Sequence, residues 1–149
     1  MALLDTSPRP DAPEQAERRR MLMRLAKEGR YAEIPEQAFP IYVHRNRHGD
    51  EALKRIVREM AEATGIEAYL RQQQAILSRP DSRPSLAAIS CPTLVLVGEG
   101  DEATPPELAH EIAAGIRGSR LVVIPDSGHL STLEQPAAVT KALVEWLKS

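Results

Sequence analysis

Apolar residues recur along the chain with two different periods, and the change falls at Pro92. Before it, Leu53, Ile56, Val57, Met60, Ala61 and Thr64 follow Asp50 in an i, i+3, i+4, i+7 stripe, the signature of an amphipathic helix. Gly65 should stop that helix. Ile66, Tyr69, Leu70 and Leu77 then carry a second one to the prolines at 80 and 84. Asp11 and Pro13 suit an earlier helix start, with Gly29 as its stop, so residues from about 12 to 79 are predicted helical. These helices are polar outside their stripes and should form a thin layer. Ahead of them, Ala2-Leu3-Leu4 reads as the end of a strand, closed by Asp5 and the breakers Ser7-Pro8-Arg9-Pro10. After Pro92 the runs Thr93–Val97 and Leu121–Ile124 are unbroken and rich in β-branched residues, as in parallel strands covered on both faces. Thr104-Pro105-Pro106-Glu107 and Ser131-Thr132-Leu133-Glu134 read as capping boxes. They open helices through Leu108, Ile112 and Ile116, and through Val139, Leu143, Trp146 and Leu147. Strand, helix, strand, helix is α/β architecture.

Composition narrows the function classes. The 149 residues suit one domain, or a core with a small accessory lobe. A net charge of −2 gives no electrostatic reason to expect nucleic acid or an anionic membrane as partner. Aromatic residues at 3% leave little for base stacking. The run Arg18-Arg19-Arg20, with Arg24, lies among Glu14, Glu17 and Glu28 and reads as a solvated helix face. A single cysteine, Cys91, excludes an internal disulfide and suggests a reducing compartment; its place beside Pro92 reads as a buried small residue. MALLDTSPRPD is not a signal peptide, and no stretch approaches the roughly 18 apolar residues of a membrane span, so a cytoplasmic protein is expected. His44 and His48 are four apart, but nothing completes a metal site around them, and they read as a solvated pair. No metal or cofactor is expected, and His110 lies on the polar side of its helix.

The candidate chemistry sits in LVGEGDEATPPE, residues 96–107. In one reading Gly98, Gly100 and Ala103 form the G-x-G-x-x-A of a dinucleotide site, with Asp126 after the next strand on the ribose. Asp101 and Glu102 would then repel the pyrophosphate. Pro105 and Pro106 have no N–H to offer it, and the strand comes late for the first of a dinucleotide fold. In the other reading the loop presents Asp101. Parallel neighbouring strands end on one sheet edge, where α/β sites collect, and His129 stands beyond the second strand in Pro125-Asp126-Ser127-Gly128-His129. A carboxylate accepting an imidazole Nδ1–H fixes the tautomer of a general base. Gly98, Gly100 and Gly128 would let these tight loops form.

These residues carry a family resemblance. Pro92-Thr93-Leu94-Val95-Leu96-Val97-Gly98, Glu99-Gly100-Asp101 and Thr104-Pro105-Pro106 resemble the seventh strand and acid loop of the α/β-hydrolase fold. Leu121-Val122-Val123-Ile124-Pro125, Ser127-Gly128-His129 and Glu134-Gln135-Pro136 resemble its last strand, histidine loop and final helix. The acid precedes the histidine, as in the family's Ser…Asp…His order. The resemblance implies a partial α/β-hydrolase fold: about three parallel strands flanked by helices, with a helical cap. Residues 1–10 would be the sixth-strand remnant, 11–85 the cap that shapes the substrate pocket, and 86–149 the C-terminal core. It also implies Asp101 as triad acid, His129 as general base and a small ester or other carbonyl compound as substrate.

The sequence departs from the family at its nucleophile. The family's serine lies on a G-x-S-x-G turn upstream of the sixth strand, and no such turn occurs in these residues; nor does the oxyanion loop. Ser127 and Ser131 belong to the histidine loop and a helix cap. The expectation is a C-terminal fragment, inactive unless another chain supplies the serine. Its open sheet edges should drive pairing with itself or with a complementary N-terminal half. Two alternatives from other classes stay open: a non-catalytic binding or assembly module, and a dinucleotide-binding module. Asp5 ranks below Asp101 as an alternative acid.

Overall fold

The structure is a computed structural model that describes residues 1–148. Three strands, β1 (Ala2–Leu4), β2 (Leu94–Gly98) and β3 (Arg120–Ile124), form a parallel sheet in the order β1-β2-β3. Ala2 pairs with Leu94, and Leu94 in turn with Arg120. The chain thus has the three-stranded core expected of a partial α/β-hydrolase fold. Parallel neighbours need a crossover, and α4 (Pro106–Gly115) supplies it between β2 and β3. The short α5 (Ser131–Glu134) and α6 (Pro136–Leu147) follow β3.

The chain divides into two compact units, one holding Met1–Pro8, Pro40–Gly49 and Ser82–Ser149, the other Arg9–Phe39 and Asp50–Asp81. In the sheet unit every residue of β2 is buried. Val95 and Val97 pack with Ala109 and Ile112 of α4 and with Ile116 just after it on one face; Leu94 and Leu96 pack with Val139 and Ala142 of α6 on the other. The continuous apolar run of β2 follows from this two-sided cover. β3 does not meet that expectation, because as an edge strand it leaves Arg120 and Val123 exposed. Cys91 is also exposed rather than buried.

The helical unit contains α1 (Pro13–Leu25), most of α2 (Glu33–Tyr42) and α3 (Glu51–Leu77). Gly29 (φ 83°) turns the chain out of α1, and Gly65 (φ 70°) breaks α3 where the sequence predicts a stop. Both need the left-handed region that glycine enters without steric cost. The α3 stripe buries Leu53 and Val57 but leaves Ile56 and Met60 exposed. Arg19 departs from the solvated arginine face. It pairs with the buried carboxylate of Asp11 and donates to Gln73, tying α1 to α3.

Neither predicted capping box forms. Pro105 precedes α4 and Leu130 precedes α5, and neither offers a side-chain cap. Thr104, Ser131 and Glu134 spend their polar groups on the loops at the sheet edge instead.

Candidate active site

The loops after β2 and β3 are locked together through their backbones. Glu99 N donates to Ile124 O (2.9 Å) and Gly100 N to Ser127 O (2.8 Å), while Asp101 N closes a turn within the first loop on Gly98 O (3.2 Å). The glycines here are needed for space rather than for bending: none of Gly98, Gly100 and Gly128 has a positive φ. A Cβ on Gly98 would collide with the carbonyls of Ser127 and Gly128. On Gly100 it would collide with the His44 ring, and on Gly128 with the backbone of Val43 and His44. The segment around His44 is therefore wedged against both loops.

Asp101 is saturated. Its Oδ1 accepts from Ala103 N and Thr104 N, both at 2.8 Å. Its Oδ2 accepts from the Thr104 hydroxyl (2.8 Å) and lies 2.9 Å from His129 Nδ1. The Asp101 side chain is 0% exposed and that of His129 26%. A buried carboxylate thus holds a partly exposed imidazole. Nδ1 carries the proton in this pair, and Nε2 makes no hydrogen bond among the described residues. Burial pushes the imidazole pKa down, but the Asp101 hydrogen bond and the charges of Asp101 and Asp5 outweigh it and leave the pKa above its ordinary value. The Tyr42 ring lies 5.6 Å from the imidazole, centroid to centroid.

Three residues that the sequence reading left in structural roles belong to this edge. Glu134 is buried, and its two oxygens accept from Gly128 N and His44 N, each at 2.8 Å. His44 is buried rather than solvated, and its Nδ1 accepts from Asn46 N (3.3 Å). Ser131 is buried and donates to Asp5. Asp5 does not meet the imidazole: its oxygens are taken by Ser131 and by Gly98 N (3.1 Å). Burial raises its pKa to about 6, against the lowering effect of those two hydrogen bonds.

The same geometry leaves no cradle for a pyrophosphate. The amides of residues 98–101, 103 and 104 are all occupied, those of Ala103 and Thr104 by Asp101 itself. A cleft of about 620 Å³ beside the loop is lined by Glu99, Glu102, Glu107 and Asp126 against Arg45, an acidic surface that repels an anion. Among the described residues no group of three or more His, Cys, Asp or Glu could hold a metal ion, and no helix is long and apolar enough to cross a membrane.

A parallel sheet whose adjacent C-terminal loops bring an acid and a histidine together is the arrangement of one large family. Its sequence pattern, the Alpha/beta hydrolase family, matches residues 2–142. The chain belongs to the α/β-hydrolase family. A thermophilic esterase from Thermogutta terrifontis is 38% identical, with a TM-score of 0.90 over 99% of this chain and 54% of its own. The enol-lactonase of Burkholderia xenovorans LB400 is 28% identical, with a TM-score of 0.86 over 99% of this chain and 55% of its own. The pimeloyl-(acyl-carrier protein) methyl ester esterase of Neisseria meningitidis is 30% identical over 118 residues, which are 77% of this chain and 46% of that protein. This α/β-hydrolase chain spans about half the length of these relatives.

Proposed function

We propose that the chain supplies the acid–base half of a serine-hydrolase site. Asp101 orients and charges His129, and His129 acts as general base toward a serine from outside these 149 residues. The observation that carries this reading is the buried Asp101 Oδ2 at 2.9 Å from a partly exposed imidazole. In the reaction, Nε2 takes the serine hydroxyl proton as the oxygen attacks a carbonyl carbon. The imidazolium, held by Asp101, returns that proton to the leaving oxygen as the ester bond breaks. Water, activated by the same nitrogen, then releases the acid.

The relatives named esterase and enol-lactonase support a small ester or lactone as substrate class. In this reading residues 11–85 form the cap that selects the substrate, and the chain pairs with a second copy or with a segment bearing the serine. A non-catalytic binding or assembly module remains the second reading, favoured by the absence of a G-x-S-x-G turn in the sequence.

The test uses a fluorophosphonate probe and a p-nitrophenyl ester. The purified chain alone should take no label; labelling would overturn the external-serine reading. Co-expressed with the nucleophile-bearing half of the Thermogutta esterase, it should hydrolyse the ester. His129→Ala should then cost about 10⁴-fold or more, the scale for losing a triad member. Full activity of that variant in the complex would leave the binding-module reading in place.

A further inference from the structure

Asp5 is a carboxylate at this sheet edge that the proposed chemistry leaves unused and whose field reaches the imidazole, and its surroundings give it work to do. Its backbone φ of 46° lies in the left-handed region, which costs a non-glycine residue free energy and persists only where neighbours over-determine it. The neighbours are plain. Asp5 N donates to Leu96 O (2.9 Å), continuing the β1–β2 ladder. Oδ1 accepts from Gly98 N, where the acid loop begins, and Oδ2 accepts from the Ser131 hydroxyl, two residues past His129. One side chain therefore joins the root of the acid loop to the far end of the histidine loop.

We propose that Asp5 is a positioning residue for His129, clamping the two loops so that the imidazole stays against Asp101. This rests on the Asp101–His129 reading above. Asp5 also acts through charge. The titratable groups that bear on it are Asp101 and His129, and its own carboxylate helps to keep the imidazole protonated. A clamp built from a neutral residue would supply the geometry without that field, so the two contributions separate by substitution.

The experiment is an NMR titration of His129 in the isotopically labelled chain, which needs no nucleophile and no substrate. Asp5→Asn keeps an acceptor for Gly98 N and a partner for Ser131. It should retain the hydrogen-bonded Nδ1 proton while the imidazole titrates at lower pH. Asp5→Ala loses both arms, and the Nδ1 proton should exchange with water at least about tenfold faster, the factor for roughly one lost hydrogen bond. Asp101→Asn serves as the reference and should lower the midpoint further than Asp5→Asn. An unchanged midpoint in Asp5→Asn overturns the charge contribution, and loss of the Nδ1 proton in that variant, which keeps both bonds, overturns the clamp even if Asp5→Ala fails to fold. Unchanged exchange in a folded Asp5→Ala overturns the clamp. If Asp101→Asn also leaves His129 unaltered, the acid–base pair itself is refuted, and the proposal falls with it.

Discussion

Glu134 gives the sharpest test of the site's architecture. As a capping-box residue it would face solvent, and glutamine would replace it at no cost. In the structure it is buried, and each carboxylate oxygen accepts a backbone N–H, from Gly128 and from His44. Glu134→Gln keeps one acceptor and points an NH₂ group at the other N–H. One charge-assisted bond is lost, about 1.5–3 kcal/mol, and two donors then face each other in a buried place. A total of about 3 kcal/mol is expected, against about 5–15 kcal/mol for a whole domain. With a urea slope of about 2 kcal/mol/M, the unfolding midpoint should fall by about 1.5 M. Glu134→Ala loses both acceptors and should cost about 3–6 kcal/mol. Urea unfolding followed by circular dichroism measures both. A glutamine variant with the parent's midpoint would refute the buried-bridge reasoning and restore the cap.

Other substitutions test other parts of the frame. Gly98→Ala places a Cβ against the carbonyls of Ser127 and Gly128, which cannot move independently of the loop, so thermal unfolding should show a loss of about 3 kcal/mol. Tyr31→Phe removes the 2.8 Å bond from the phenol to Ala61 O in the helical unit and should cost about 1 kcal/mol, read in the same way. Asp5 binds a proton more tightly folded, at about 6, than its ordinary 3.8. The folded state therefore holds the extra proton across that window, and its contribution to stability is lost as pH rises through it. The stability of Asp5→Asn relative to the parent should accordingly rise between pH 4 and 7. A gap that is constant with pH would show that Asp5 titrates at its unfolded value.

Much of this was legible in the sequence, and what was not has a common cause. Apolar runs and glycine stops reveal β2, the Asp50 helix start and the break at Gly65, because one-dimensional periodicity reports which faces are covered. The exposed face of β3 was hidden: an edge strand and a central strand of a parallel sheet carry the same apolar run, and only the order of strands distinguishes them. Cys91 is exposed and His44 buried, against the expectation for each, since neighbours in sequence do not determine what packs over a residue. The sequence marks Gly98, Gly100 and Gly128 as residues that let tight loops form, whereas in the structure none of them has a positive φ. Their bare Cα atoms admit a neighbouring backbone or ring, which no local pattern announces.

Three acids at the sheet edge, Asp101 and Glu134 buried and Asp5 partly so, show why a role cannot be read from residue type alone. Asp5, Asp101 and Glu134 each sit beside a tight loop, and each accepts at least two hydrogen bonds. Glu134 has both oxygens on backbone amides, so it can only hold two segments together. Asp5 divides its oxygens between an amide and a hydroxyl, and it reaches the imidazole through space alone. Asp101 satisfies Oδ1 with two amides, which fixes the carboxylate plane, and this leaves Oδ2 for Thr104 and His129. Only that division gives a rigid acid with one oxygen facing a titratable ring. An acid whose oxygens are all committed to the scaffold cannot support an imidazolium, and one without scaffold bonds would not stay in line with Nδ1. The proposal of Asp101 rather than Asp5 as the acid therefore rests on how each carboxylate's oxygens are shared out, a property of three loops meeting and of no single one of them.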